Sequence, residues 1–216
     1  MPSHAELTAA LARYPAALEL RTAASPKSLE LVALDKWYRG ALFDAMQARR
    51  GGGLGDGKDG EGARDDEDDT AWLVRLMDWK LARGKWRPRL QSLAASNSPS
   101  SIRTALSSAL AAPSSCPQAA LDALCALRGV GPATASAVLC ALDPVAHAFM
   151  SDEALDGVRA RGEGEPGGPP QGGKREYTVK SWRVFEEAMR ERRDDEGWKS
   201  VEELERALSS GSRKRQ

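Results

Sequence analysis

Apolar residues recur three or four positions apart in every segment of this chain that could contribute to a hydrophobic core. Leu121, Leu124 and Leu127 are one such set. This spacing is typical of one face of an α-helix. No run of alternating β-branched residues is long enough for a strand. The sequence therefore predicts an all-α protein.

Several residues also mark where helices should begin. Ser3 and Glu6 have the spacing of a capping box, in which each side chain binds the other residue's main-chain amide. Ser25-Pro26 and Pro132 are placed for the starts of two further helices, because proline is favoured in the first turn. We therefore expect short helices joined by tight turns.

Two segments lack the apolar side chains that a core needs. Residues 51–69 are rich in glycine and aspartate, and residues 162–173 are almost wholly glycine, proline and glutamate. We expect both to be disordered inserts in a single domain that covers residues 1–216. Residues 51–70 carry a net charge of −6 within a chain of zero net charge, so the remaining residues are moderately basic.

The composition excludes several classes of protein. No apolar run is long enough to span a bilayer, and the N-terminal residues do not form a signal peptide, so we expect no membrane partner and no secretion. Three widely spaced cysteines do not form a disulfide framework. Without a Cys-x-x-Cys pair, and with His4 and His147 as the two histidines, no metal site or cofactor is expected.

A tight turn is predicted between two apolar helical segments at Gly129-Val130-Gly131. The glycines allow unusual backbone angles and close approach of another backbone. Val130 is expected to point inward. Main-chain amides at the start of the second helix, around Ala133 and Thr134, lie at the positive end of its dipole. This corner is suited to binding a phosphate group.

The stretch LDALCALRGVGPATASAVL, within residues 121–142, resembles the helix-hairpin-helix of the DNA glycosylase superfamily. The resemblance is specific over residues 121–155 and extends to the rest of the chain only in helix order. It implies a two-lobed, all-helical fold that grips double-stranded DNA through the amides of the hairpin. It also implies a catalytic aspartate after the second hairpin helix, and Asp152 in FMSDEAL stands at that position.

An aspartate so placed would act on a base that has left the stack. Its carboxylate would stabilise the oxocarbenium-like sugar as the glycosidic bond breaks, or orient water. The interpretation that requires no catalysis is that Ser151 or Asp152 caps a helix. Both interpretations remain open from the sequence.

The chain departs from the family pattern in several places. Members that also cleave the backbone use a lysine, which in one branch would stand at Ala133 and in another at Asp122. Lyase activity by either route is therefore not expected. The proline that usually precedes the hairpin's first glycine is replaced by Arg128. Acidic residues follow Asp152, and Gly157 is expected to break the helix soon afterwards.

The segment WKLARGKWRPRL combines basic residues with tryptophans. Lys85, Arg87 and Arg89 are candidate phosphate contacts. The alternative is a solvated helix end whose tryptophans are buried in the core, and for Trp79 burial is the favoured interpretation. Gly129→Ala is expected to weaken DNA binding without unfolding the protein.

The resemblance thus favours a monomeric, monofunctional DNA glycosylase-like protein that excises a damaged or mismatched base in base-excision repair. The alternative is a non-catalytic helix-hairpin-helix module that binds DNA or a protein. The chain ends in a basic run, SRKRQ, which is compatible with a nuclear signal, so the expected location is nuclear or cytoplasmic.

Overall fold

The structure is a computed structural model that describes residues 2–24, 30–51, 69–84, 87–162 and 175–211. The ordered elements of these ranges are helices, with no strand among them, and the prediction of an all-α protein is confirmed for this part of the chain. The helices are α1 (His4–Ala12), α2 (Tyr14–Ala24), α3 (Leu31–Trp37), a π-helical turn (Tyr38–Leu42), α4 (Phe43–Arg50), α5 (Asp69–Arg83), α6 (Pro88–Ala95), α7 (Pro99–Ala111), α8 (Pro117–Cys125), α9 (Pro132–Leu142), α10 (Asp152–Gly162), α11 (Val179–Glu196) and α12 (Val201–Gly211).

Some sequence predictions concern residues outside the described ranges. They are the helix start at Ser25-Pro26, the phosphate contact at Lys85, and the disorder of residues 52–68 and 163–173. At the edges of the two proposed inserts, Asp69 is the first residue of α5 and Gly162 is the last residue of α10. No helix among the described residues has the length and apolar character needed to cross a membrane.

The predicted helix starts agree with the structure where it describes them. The Ser3 hydroxyl accepts a hydrogen bond from the Glu6 amide at 3.3 Å, and the Glu6 carboxylate accepts one from the Ser3 amide at 2.7 Å. This reciprocal pair satisfies two of the amides that a helix leaves unbonded at its first turn. Pro132 occupies the first turn of α9, as predicted.

The first and last helices of the described chain pack against each other, α1 against α12, and α12 also contacts α2 and α10. A second group of contacts joins α5 to α6 and α7, α7 to α8, and α8 to α9. Helix α9 is the most enclosed element, because every residue from Ala133 to Leu142 is buried. The second helix of the hairpin therefore lies within the core.

The π-helical turn supplies two side chains that connect these groups. The Tyr38 hydroxyl donates to the carbonyl of Ala137 in α9 at 2.8 Å, and its ring stacks on Trp79 of α5 with 3.8 Å between centroids. Arg39 enters a buried charge network, in which it contacts Glu202 and lies 3.1 Å from Asp35. Trp79 is fully buried, which confirms the favoured interpretation of that residue.

Helix α10 does not end at Gly157, so that expectation was wrong. A β-carbon built at Gly157 would lie only 2.7 Å from Leu208 Cδ2. The glycine is explained by close packing between α10 and α12, and a single glycine costs a helix only about 1 kcal/mol. The packing of these helices offsets that cost.

Candidate nucleic-acid interface at the helix hairpin

Helices α8 and α9 are joined by the turn that the glycines predict. Leu127 and Val130 are buried below the turn, and the Val130 amide donates to the Leu127 carbonyl at 3.1 Å. Val130 therefore points inward, as predicted, and holds the two helices together. Arg128 is exposed at the turn, and Gly129 and Gly131 are partly exposed.

The two glycines of the turn have different physical roles. Gly129 has a φ of +80°, and a β-carbon there would lie 2.9 Å from Leu93 Cβ and 3.0 Å from the Leu90 carbonyl oxygen. Gly131 has a φ of −109°, and nothing lies within 4 Å of the β-carbon position. Gly129 is thus required for packing against α6, so the expectation that Gly129→Ala leaves the fold intact needs correction. Gly131 faces open space.

Asn97 fixes the hairpin turn to the end of α6. Its side-chain oxygen accepts from the Arg128 amide at 2.9 Å, while its side-chain nitrogen donates to the carbonyls of Arg128 at 3.0 Å and Ala94 at 2.9 Å. Asn97 is itself buried, so these bonds replace water that its amide would otherwise bind. Sequence reasoning did not identify this residue, because its partner lies 31 positions away.

Two amides at the start of α9 are candidates for binding an anion. The Gly131 carbonyl accepts from the amides of Thr134 at 2.8 Å and Ala135 at 2.9 Å. Pro132 has no amide hydrogen. Among the described residues, nothing accepts a hydrogen bond from the amides of Gly131 or Ala133. Both lie at the positive end of a helix dipole, a position that favours phosphate binding.

The segment before α10 is anchored to the hairpin helix. The Ser136 hydroxyl of α9 donates to the Ala133 carbonyl at 3.0 Å and accepts from the Met150 amide at 2.9 Å. Ser151 then caps α10, with its hydroxyl 3.2 Å from the Ala154 amide. The position of Asp152 is thereby fixed relative to the hairpin. Because Ser151 makes the capping hydrogen bond, Asp152 keeps its carboxylate for other contacts.

The carboxylate of Asp152 is half-exposed and has two partners on the segment that precedes α11. One oxygen accepts a hydrogen bond from the Tyr177 hydroxyl, and the other lies 3.2 Å from the Arg175 guanidinium. Arg175 also binds Asp156 at 2.7 Å. Positive charge therefore offsets the acidic residues that follow Asp152 and reduces their repulsion of a phosphate backbone.

Lys80, on the last turn of α5, points into the same region. Its ammonium nitrogen donates to the Thr134 hydroxyl at 2.7 Å. Burial, together with the positive charge of Arg87, lowers the pKa of Lys80 to about 8, and the carboxylate of Asp152 opposes this shift. A lowered pKa occurs at catalytic lysines, and burial of a structural lysine produces the same shift.

Of the predicted residues, Thr134 contacts Lys80 directly, while the charges of Arg87 and Asp152 influence the pKa of Lys80. Thr134 is fully buried, so its side chain serves Lys80, and a phosphate would meet the main chain of Gly131 and Ala133 instead. Arg89 is exposed on α6, and the structure gives it no contact with Asp152 or Thr134.

The sequence also contains a signal for the position of Lys80. It follows Leu76 by four positions and Met77 by three, and both of these residues are buried. A lysine at that spacing lies at the edge of the apolar face of its helix. Such a lysine either extends its charge to solvent or has a lowered pKa.

His147 lies apart from this cluster. Its Nδ1 is 2.5 Å from a Glu186 carboxylate oxygen, and Arg190 donates to the same oxygen at 2.9 Å. These contacts fix the loop before α10 to α11, which is a structural role.

Comparisons of the chain with protein-family models, with curated proteins and with solved structures found no match.

Proposed function

We propose that this chain is a helix-hairpin-helix DNA glycosylase-like protein that binds double-stranded DNA and releases a damaged or mismatched base. The observation that carries the proposal is the link between hairpin and carboxylate. The Ser136 hydroxyl joins the first turns of α9 to the Met150 amide, two residues before Asp152. The proposed anion-binding corner and the carboxylate are thus linked through the hydrogen bonds of one side chain.

The candidate site draws on separate elements of the fold. Lys80, Arg87 and Asp152 come from α5, from the residue before α6 and from α10. Helices α5 and α6 pack together, whereas α10 packs against α11 and α12. In the two-lobed arrangement that the family resemblance implies, a base that has left the stack would be enclosed in a cleft between the lobes.

In the proposed mechanism, the amides of Gly131 and Ala133 bind a phosphate, and Arg87 adds positive charge beside it. A base then rotates out of the duplex, and Asp152 faces its sugar. As the glycosidic bond breaks, the carboxylate stabilises the positive charge that develops on the sugar ring. Removal of one such charge typically lowers the rate by about 10²–10³-fold.

The second candidate, a non-catalytic DNA-binding module, is favoured by one specific observation. Both oxygens of Asp152 are engaged, by Tyr177 and by Arg175. A carboxylate held in this way can be a structural link between α10 and the segment before α11. In that case the hairpin would bind DNA and the chain would release no base.

DNA binding is tested first, by fluorescence anisotropy with a labelled duplex over a range of salt concentrations. Gly131→Glu places a negative charge where the phosphate should bind, and Gly131→Ala is its matched control, because the position faces open space. We expect Gly131→Glu to reduce affinity at least tenfold and Gly131→Ala to leave it nearly unchanged. The affinity of the wild type should fall steeply as salt rises.

The positive residues are tested in the same assay. Arg87→Ala should weaken binding and make it less dependent on salt, because each phosphate contact contributes to that dependence. Arg103→Ala is the control, since Arg103 is exposed on α7 and paired with Asp69. Equal binding by both variants would remove Arg87 from the interface, and an affinity that is independent of salt would remove the DNA-binding proposal.

Base release is tested with duplexes that carry uracil, alkylated, oxidised or mismatched bases, followed by alkali to cleave abasic sites. Release by the wild type, lost in Asp152→Asn, would support the enzyme and identify its substrate. Binding without release of any base would favour the non-catalytic module. Light scattering of the free protein tests the expectation of a monomer.

A further inference from the structure

A short segment before α11 is bound to the carboxylate of Asp152. This segment, residues 175–178, is exposed along its length, and we call it the strap. At one end, Thr178 caps α11 with its side chain, so the strap is fixed to that helix. Its contacts with α10 come from two side chains, those of Arg175 and Tyr177.

The contacts between the strap and α10 are polar and exposed. Nε and Nη2 of Arg175 donate to the two oxygens of Asp156, at 2.9 and 2.7 Å, and Nη1 donates to Asp152 at 3.2 Å. The Tyr177 hydroxyl donates to the other oxygen of Asp152. The side chains of Arg175, Asp152 and Asp156 are 41%, 48% and 50% exposed, respectively. Ion pairs as exposed as these change an equilibrium by roughly fivefold at most, so the strap can open at low cost.

A carboxylate bound by the strap is not in the state that base release requires. Both oxygens of Asp152 accept hydrogen bonds, and the guanidinium of Arg175 adds positive charge beside them. Positive charge at this place reduces the stabilisation that the carboxylate gives to a positive charge on a sugar ring. If Asp152 acts on a sugar, Arg175 must therefore first move away from it.

The hydrogen bonds of Arg175 suit a phosphate as well as they suit Asp156. Two of its nitrogens bind the two carboxylate oxygens side by side. The same fork binds two oxygens of a phosphate group. Lys180 and Arg183 are exposed on the first turns of α11, directly after the strap, and their charges would attract a phosphate to this place. A DNA backbone therefore offers Arg175 an equivalent partner outside α10.

We propose that the strap covers Asp152 in the free protein and opens when a DNA phosphate takes Arg175 from Asp156 and Asp152. The inference rests on the proposed function, which supplies the DNA. It adds regulation of the same site, because Asp152 becomes available only once a duplex is bound. It also accounts for the two engaged oxygens of Asp152 in the free protein, without a purely structural role for that carboxylate.

The exchange of partners is tested by fluorescence anisotropy with a labelled duplex, in a double-mutant cycle. Arg175→Ala should lower the affinity about threefold or more and make the slope of log affinity against log salt shallower by about one unit, because one phosphate contact is lost. Asp156→Asn frees Arg175 and should raise the affinity about two- to fivefold. In the Arg175→Ala background, Asp156→Asn should change the affinity by less than about 1.5-fold. The controls for the two lost charges are Arg103→Ala and Glu187→Gln, since both residues are exposed and lie outside the strap.

A variant that changes no charge separates the strap from the general effect of charge on DNA binding. Tyr177→Phe removes the hydroxyl that binds Asp152, so it should loosen the strap and raise the affinity about two- to threefold. The salt dependence should stay that of the wild type, since Arg175 still reaches the phosphate. Bound DNA opens the strap in the wild type and in Asp156→Asn alike, so Asp156→Asn should differ in affinity and not in the rate of the bound complex.

Three results would each overturn the inference. They are an unchanged affinity and salt slope in Arg175→Ala, an equal gain from Asp156→Asn in both backgrounds, and no gain from Tyr177→Phe.

The outcomes also distinguish this inference from the proposed function. A protein that shows the exchange at Arg175 but releases no base keeps the inference and contradicts the glycosylase. Base release through Asp152, with no effect of the strap variants on DNA affinity, supports the glycosylase and overturns the inference. No binding of DNA by the wild type would overturn both.

Discussion

Gly129→Ala should destabilise the fold, although it adds a single methyl group. Gly129 has a φ of +80°, a conformation that costs a residue with a β-carbon roughly 1–2 kcal/mol. The added carbon would also lie 2.9 Å from Leu93 Cβ, 3.0 Å from the Leu90 carbonyl oxygen and 3.1 Å from the Ala94 nitrogen. Two of these three atoms belong to the main chain of α6, so a side-chain rotation cannot relieve the contact.

The expected loss of stability is the sum of two costs, that of the positive φ and that of the close contacts. Overpacking of a well-packed site typically costs about 1–3 kcal/mol, so the sum is about 2–5 kcal/mol. This is a large share of the roughly 5–15 kcal/mol that stabilises an ordinary domain. For a chain of this size, each kcal/mol lowers the melting temperature by roughly 2–4 °C.

The assay is urea unfolding followed by circular dichroism, with Gly131→Ala as the matched control. Gly131 has a negative φ and open space at its β-carbon position. Two effects of this substitution on stability oppose each other. Alanine is a poorer N-cap than glycine, which destabilises the fold, but alanine also lowers the conformational entropy of the unfolded chain, which stabilises the fold by a similar amount. We expect Gly131→Ala to change the free energy of unfolding by less than about 0.5 kcal/mol. Equal stability of the two variants would refute the assignment of Gly129 to packing and Gly131 to the open surface.

Three further predictions concern buried polar groups, each measured by urea unfolding. Asn97→Ala should lower the free energy of unfolding by about 2–4 kcal/mol, because it leaves the amide and carbonyl of Arg128 without their partner. Ser96→Ala is the exposed control. A change below about 0.5 kcal/mol for Asn97→Ala would contradict the role of Asn97 in holding the turn. Burial would raise the pKa of Glu205, but Arg83 and Arg39 outweigh it and lower the pKa to about 2, below the ordinary 4.5. The stabilisation by the Glu205 carboxylate is therefore complete above pH 4.5 and is lost as the pH falls through 2. The free energy of unfolding of Glu205→Gln should be about 3 kcal/mol lower than that of the wild type at pH 7, and it should decline less steeply as the pH falls. The same decline in acid for both proteins would contradict this prediction. The folded state disfavours the charge of Lys80, so Lys80→Met should raise the free energy of unfolding by about 1–3 kcal/mol at pH 7. This gain in stability should shrink between pH 8 and 10.5, where the amine of the wild type loses its charge. A loss of stability would indicate that Lys80 has a structural role instead.

The local part of the fold follows from the sequence because its causes are local. Leu121 and Leu124 lie on one face of α8, Val130 points inward between the glycines, and Pro132 opens α9. Each of these features depends on helical spacing or backbone geometry within a few residues. The start of α10 at Asp152 also agrees with the helix-capping alternative.

The rest of the site depends on contacts between distant parts of the chain, which a single sequence does not encode in a readable pattern. Lys80 meets Thr134 across 54 positions, and Tyr177 reaches Asp152 across 25. The two glycines of the turn look equivalent in the sequence, yet only Gly129 has α6 against it. The difference between the two glycines comes from tertiary packing. The burial of Lys80 also depends on tertiary packing.

The proposed catalytic role of Asp152 is tested most directly by the single-turnover rate of base release. This rate is measured for three proteins with the duplex from which the wild type releases a base. They are the wild type, Asp152→Asn and Asp156→Asn. Asp156 is the matched control, because it is an acid on the same helix that binds the same Arg175. We expect a loss of about 10²–10³-fold for Asp152→Asn and a change below threefold for Asp156→Asn. Equal rates for all three proteins, or no release by the wild type from any duplex of the panel, would contradict it.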